Sequence, residues 1–337
     1  VGLEEEVRQA IRVPAGKGFA GTIAATRRPL SIDRVDESTV INRLLWEKGL
    51  HSLLGVPMVV AGQLIGVLHV GSLSGRTFTA DDTDLLQLVA DRIALSTQAR
   101  QTAQERVAAA SLQRSLLPAR LPQPPGLQFA ARYVPGDTLS VGGDWYDVFP
   151  LPGGHWGVAI GDVVGHGLPA AIVMGRLRTA LRAYALEYSD PAVVLDKLDR
   201  EIVHFETGAS ATVAYAIVDS STDRMRISLA GHPAPVVATA EMDNHLIDAP
   251  ADPLLGFGFA AGRRRVTEVE IPGDSVVCFY TDGLVERRDY ELDLGMKLLV
   301  ESIRVDKPER VCEHLISALF GLGSPRDDVA MVVLHRA

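Results

Sequence analysis

The 337 residues are 47% hydrophobic and 22% charged, enough apolar content for two domains with their own cores and too much for a disordered chain. A formal net charge of -9 excludes a broad nucleic-acid surface, which needs clustered Lys and Arg. No apolar run approaches a membrane span, and Val1-Gly2-Leu3-Glu4-Glu5-Glu6 lacks the basic-then-hydrophobic pattern of a signal peptide, so the chain reads as cytoplasmic with no membrane partner.

Residues 1–79 read as short apolar strands separated by glycine turns: Gly16 to Gly21, then Leu53–Val60 and Leu64–Val70, the last two joined as a hairpin through Ala61-Gly62-Gln63. His51 and His69 in this part read as core or surface groups, not as haem ligands, and with no cysteine before Cys278 a covalently attached bilin has no anchor. The runs VPAGKGFAGTIAAT, GVPMVVAGQLIGVLHV and FTADDTDLLQLVADRIA resemble the later part of a GAF sensory domain, whose first helix and opening strands would precede Val1. That resemblance implies an α/β domain with a small-ligand site.

Residues 80–117 form a helical linker. Thr79-Ala80-Asp81-Asp82 is a capping-box-like start, followed by helix-favouring residues to about Leu117, as one long helix or two in series. Leu86, Val89, Ile93, Ala103, Val107 and Ala110 keep three-and-four spacing, but Ser96 and Arg100 interrupt the seam. A homodimeric coiled coil and a helix packed on one domain both fit. Leu117 to Gly126, with four prolines, ends any helix and marks the boundary of a domain over 118–337.

In that domain, Ala211–Val218 and Met225–Ala230 read as strands, and Leu168–Tyr188 and Pro191–Phe205 as helices. Strands clustered around a helical pair fit an α+β sandwich better than an alternating parallel sheet. Cys278 lies in an apolar strand run and Cys312 in a helix, so both read as packing groups.

Acidic motifs stand at the ends of apolar runs: GGDWYD around Asp144, GDVVGHG around Asp162, TDG around Asp282 and RDD around Asp327 and Asp328. Each alone is a turn with a carboxylate; four together repel one another unless they take up protons or hold a cation. Oxygen donors without paired His or Cys prefer Mn²⁺ or Mg²⁺ to zinc. Two such ions lower the pKa of a shared water and offset phosphoryl charge during in-line attack. Gly142, Gly143 and Gly161 let backbone approach the ions, and Gly165 and Gly167 turn the chain into the helix at Leu168. The carbonyl after Asp162 is a further candidate ligand.

The run of motifs SLQRSLLPARLPQPPG, ARYVPG, VGGDWYDVF, IGDVVGHGLPAA, ATVAYAIVD, LAGHPAP, PLLGFG, CFYTDGLVERRD and SPRDDVAMVVL resembles the SpoIIE/RsbU branch of the metal-dependent (PPM) protein phosphatases, over residues 112–335. The resemblance implies an α-β-β-α sandwich of two antiparallel sheets flanked by helices, and a protein serine/threonine phosphatase with two metal ions. Carried over by motif, Asp162 bridges both ions, the Val163 carbonyl contributes, Asp282 and Asp327 hold the first ion, and Asp144 acts on the second, with Asp328 as the neighbour that competes with Asp327 for the ligand role. It further implies a STAS-domain anti-anti-sigma factor as the phosphorylated partner, with control through the GAF-like part and the linker.

In the type 2C branch an arginine shortly before the first acidic motif grips phosphate; Pro135–Val141 holds none. Asp147 points either to the same site as Asp144 or to a surface partner. His166 either protonates the leaving oxygen or is a turn histidine, and His232 orders the exit from a strand before Pro233. A non-catalytic phosphatase-like scaffold is the alternative, weakened by retention of all four acids, and a metal nuclease is disfavoured by the acidic charge.

Overall fold

The structure is a computed structural model and describes residues 13–36, 39, 40, 45, 47–136, 142–258, 264–286, 292–321 and 323–337. The readings made on the first six residues and on 137–141 lie outside these. The chain divides into two compact units, Val1–Gln104 and Glu105–Ala337.

In the first unit, α1 (Gly18–Thr26) is followed by β1 (Leu30–Ile32), β2 (Ser52–Val60) and β3 (Gln63–Ser72) in an antiparallel sheet of order β1-β2-β3. The expected β2–β3 hairpin is present, pairing Val60 with Gln63. The glycine-rich run from Gly16, expected as strand and turn, instead enters a helix. Phe19 and Ile23, one helical turn apart, bury together with Leu53, which a strand's alternation could not achieve. The first unit also starts α2 (Ala80–Leu116), one unbroken helix of 37 residues. Its start is a reciprocal capping box: the Thr79 amide donates to Asp82 Oδ2 at 2.9 Å and the Asp82 amide to Thr79 Oγ1 at 3.2 Å. No helix among the described residues is long and apolar enough to cross a membrane.

The second unit has four layers. One sheet, order β11-β8-β7-β6-β5, contains β5 (Trp145–Pro150), β6 (His155–Val163), β7 (Ala211–Asp219), β8 (Arg224–Ala230) and β11 (Thr267–Glu270). The other, order β10-β9-β12-β13-β4, contains β4 (Leu127–Val134), β9 (Val236–Thr239), β10 (His245–Leu246), β12 (Ser275–Tyr280) and β13 (Val329–Arg336). All pairings in both sheets are antiparallel. The helices α3 (Leu168–Glu187) and α4 (Pro191–Phe205) cover the first sheet through Met174, Leu177, Leu181, Leu195 and Leu198. The helices α5 (Leu292–Ser302) and α6 (Pro308–Phe320) cover the second through Leu299, Val311 and Leu315, with Cys278 and Cys312 buried as free thiols in that layer.

Between the sheets, Val158, Ile160, Ile227, Val277, Phe279, Val332 and Leu334 interlock as one core. Each such side chain contributes about 2 kcal/mol by leaving water. This is the α-β-β-α sandwich that the motifs imply.

Candidate metal centre

Strand alternation decides which acids meet. Along β6, Val158 and Ile160 face the opposite sheet while Ala159 and Val163 face the helices, so Asp162 continues the inter-sheet row. The same period of two carries Val148 and Tyr146 to Asp144, and Leu334, Val332 and Ala330 to Asp328. Thr281 follows Val277 and Phe279 and donates from Oγ1 to Asp144 Oδ2 at 2.7 Å, across the two sheets. Asp282 opens a single helical turn just beyond, and Asp327 stands two residues before β13; both lie at the exposed rim. The sandwich therefore changes at one end from an apolar core to a well of carboxylates, deepest at Asp144.

Gly143 makes the close approach possible. A Cβ there would lie 2.1 Å from the Val163 carbonyl oxygen and 2.8 Å from Asp162 Oδ1, so only glycine lets the Asp144 loop sit on the end of β6. Gly165 and Gly167 take positive φ, 114° and 78°, and turn the chain into α3.

The electrostatics of the well are those of an uncompensated anionic site. Burial raises the Asp144 carboxyl well above its usual range, and the charge of Asp162 raises it further, against the Thr281 hydrogen bond. Asp162 is pushed up to about 7, first by burial and then by Asp282 and Asp327, while a hydrogen bond shared with Asp144 opposes the shift. Asp282 is raised by desolvation, then by Glu286 and Asp327; at the open rim, solvent screens that effect. Among the described residues, no three His, Cys, Asp or Glu side chains already form a cation cage. Both shifts favour the protonated carboxyl at Asp144 and Asp162. The donor set, carboxylate oxygens with no imidazole or thiolate among them, fits hard divalent cations.

Two acids take other partners, and a histidine lies exposed. Asp328, named beside Asp327 as a candidate ligand, serves as a loop clasp: Oδ2 accepts from the Tyr133 hydroxyl and from the Gly142 amide at 2.6 Å, and Oδ1 from the Gly136 amide at 2.8 Å. Its oxygens are committed to holding the two ends of the 137–141 segment. Asp147, on the opposite strand face from Asp144, is fully buried against the helices and pairs with Arg178 at 2.9 Å and Arg182 at 2.6 Å. It belongs neither to the well nor to a surface partner. His166 is exposed in the Gly165–Gly167 turn.

Several residues that build the well escaped the motif reading. Thr281 adjoins Asp282 and also accepts the Ala330 amide at 2.9 Å, tying β13 to Asp144. Gln113, buried near the end of α2, directs Nε2 at Tyr133 Oη (2.6 Å), Gly142 O (3.1 Å) and Asp144 O (3.4 Å). The signal for Gln113 was a lone amide on the buried side of SLQRSLLP. His232, which the sequence places at a strand exit before Pro233, is buried between the sheets, its ring 2.9 Å from Thr212 Oγ1 and 3.1 Å from Tyr280 O.

A sandwich of this topology with this acidic end defines the class of PPM-type, metal-dependent protein serine/threonine phosphatases. Residues 152–337 match the family described as Stage II sporulation protein E (SpoIIE), and residues 1–96 match the GAF domain. The chain belongs to the SpoIIE family and carries an N-terminal GAF domain. It is 28% identical over 236 residues to phosphoserine phosphatase RsbU of Bacillus subtilis, covering 68% of this chain and 69% of that one. Phosphoserine phosphatase RsbP of the same organism is 26% identical over 168 residues, 48% of this chain and 40% of RsbP. Among solved structures, the RsbU and RsbW domains of a Mycobacterium tuberculosis protein superpose with a TM-score of 0.59 at 29% identity, over 66% of this chain and 63% of that one. The chain thus spans less than two thirds of two of these three relatives.

The raised Asp162 pKa sets a pH dependence for the metal-free protein. Between the unfolded value, about 4, and the folded value, about 7, the folded state holds more protons, so stability falls as pH rises through that window. Urea unfolding in chelator at about pH 5 and about pH 8 is expected to show the lower midpoint at the higher pH, and Asp162→Asn is expected to flatten the difference. A wild-type midpoint that rises with pH would contradict the placement of Asp162.

Proposed function

We propose that this chain hydrolyses phosphoserine or phosphothreonine on a STAS-domain anti-anti-sigma protein. It does so with two Mn²⁺ or Mg²⁺ ions held by Asp144, Asp162, the Val163 carbonyl, Asp282 and Asp327. The observation that carries this reading is the well itself: carboxylates brought from both sheets to one end of the sandwich, with Asp162 raised by burial and by its acidic neighbours. When bound, such ions supply Lewis acidity, lowering the pKa of water and offsetting phosphoryl charge.

The chain's own residues orient the rest. Asp162, half-buried between the deep Asp144 and the rim acids, is placed to hold an ion together with either of them. Thr281 fixes the Asp144 carboxylate, and Gly143 lets the Asp144 loop reach Asp162 and the Val163 carbonyl. His166, exposed in the turn four residues after Asp162, is the group that returns a proton to the departing serine or threonine oxygen. Phosphoserine hydrolysis is supported by the likeness to RsbU and RsbP, both named as phosphoserine phosphatases, and the STAS partner is what the motif resemblance adds to the reading.

Control by the GAF domain runs through α2. That helix starts in the first unit, and Gln113 near its other end faces the carbonyls of Gly142 and Asp144. A shift of the helix thereby moves the loop that presents Asp144. Leu85, Leu88, Val89 and Ile93 are exposed along α2, which supports homodimerisation through the linker, and a small molecule at the GAF domain is the input.

Manganese-dependent phosphate release from a phosphorylated STAS protein is expected for wild type and lost, by at least about a hundredfold, in Asp162→Asn. Wild-type turnover no higher than the variant's in any divalent metal would favour the scaffold reading instead. Gln113→Ala is expected to lower turnover about tenfold without loss of folded structure by circular dichroism. Unchanged turnover would remove α2 from the control path.

A further inference from the structure

Within each sheet, backbone hydrogen bonds lock the strand register; between the sheets, packing is apolar and non-directional. The proposed ligands come from both sheets, Asp162 from one and Asp282 from the other, so their separation depends on how the two sheets are held at that end. Besides Thr281, which reaches Asp144 across the two sheets, a second buried side chain spans the gap there.

His232 follows β8 at the Gly231–Pro233 exit and is 2% exposed. One ring nitrogen meets Thr212 Oγ1 at 2.9 Å, and Thr212 is the residue directly opposite Asp162 in the β6–β7 register. The other meets the Tyr280 carbonyl at 3.1 Å, two residues before Asp282. That carbonyl has a reason to need a side-chain partner. The Thr281 amide donates to Ala330 in β13, so by alternation Tyr280 faces the β9 side. Yet β12 pairs with β9 only over Ser275–Cys278. His232 takes the place that a further residue of β9 would have filled.

The hydrogen-bond roles follow from the chemistry of the partners. A carbonyl only accepts, so Nε2 carries the proton and donates to Tyr280. Burial pushes the ring's pKa down to about 4, so it stays neutral and Nδ1 accepts from the Thr212 hydroxyl. An apolar residue of the same size would leave both the hydroxyl and the carbonyl buried without these partners, at the cost that attends any unsatisfied polar group.

We propose that His232 is a positioning residue that sets the spacing between Asp162 and Asp282 by clasping the two sheets at the metal end. The inference rests on the metal reading above and assigns a task that the acidic motifs themselves do not perform. The ring is rigid and anchored on both sides, so it transmits the position of the Asp162 strand pair to the strand that delivers Asp282. This is a role of the kind that outer-shell groups play around bound ions.

The test is Mn²⁺ affinity of the full chain, read from the electron paramagnetic resonance signal of free Mn²⁺, beside melting in chelator. Thr212→Val keeps the β-branched shape and removes only the hydroxyl. It is expected to weaken Mn²⁺ binding about tenfold, and His232→Ala by more, with turnover recovering at saturating Mn²⁺. His232→Gln, which restores a donor for Tyr280, is expected to recover part of the lost affinity. A purely structural histidine would lower the melting temperature and leave the affinity of the folded protein untouched, and that result overturns the proposal. Should His232→Ala not fold, Thr212→Val alone decides, since wild-type affinity in that variant is equally fatal. A wild-type protein that binds no Mn²⁺ brings down the metal reading and this one together, whereas normal wild-type binding with unchanged variants brings down this one alone.

Discussion

Carboxylates gathered at one end of an apolar slab repel one another and are poorly hydrated, and the arrangement of the second unit is organised around that cost. Without a cation, protonation of Asp144 and Asp162 lowers that cost, and burial raises the pKa of both carboxyls. A divalent cation would meet it better, because it neutralises several oxygens at once. The hydrogen bonds around the well serve the same end. Thr281 fixes Asp144, Asp328 holds the Gly136 and Gly142 amides, and His232 fixes the strand ends on either side. Of these groups only Asp328 brings charge toward the centre, and the Tyr133 hydroxyl and the Gly136 and Gly142 amides donate to it.

The strand period explains why the acids meet at all. Val158 and Ile160, then Asp162, occupy one face of β6; Val148 and Tyr146, then Asp144, continue the same face of the neighbouring β5. An inward row that is apolar over most of its length and acidic at its last position produces an insulated core and a cation site from the same alternation. The apolar rows fix depth and direction, and the terminal acids supply the chemistry.

Much of this was legible along the chain. Apolar runs ending in Gly-Asp or Thr-Asp-Gly located the strand tips, and the helices at Leu168 and Pro191 followed from spacing and a proline start. What stayed hidden depended on partners distant in sequence. Asp147 and Asp144 stand three residues apart, so their opposite faces emerge only once β5 is known to begin at Trp145. Asp327 and Asp328 are adjacent and chemically equal, and only Tyr133, Gly136 and Gly142, almost 200 residues earlier in the chain, separate a rim acid from a clasp. Gln113 showed only as a lone amide among leucines, because its partners Tyr133, Gly142 and Asp144 also lie further along the chain. The run at Gly16 misled because its glycines suggested turns, whereas the burial of Phe19 and Ile23 on one helical face outweighed glycine's weak helix propensity.

Protonated carboxyls in the well have to give up their protons when a cation binds. Calorimetric titration of the wild-type chain with Mn²⁺ at about pH 6, repeated in buffers of different ionisation enthalpy, reads that exchange directly. The account predicts release of about one proton per chain on binding, absent in Asp162→Asn. Tight Mn²⁺ binding by the wild type with no dependence of its heat on the buffer would contradict it.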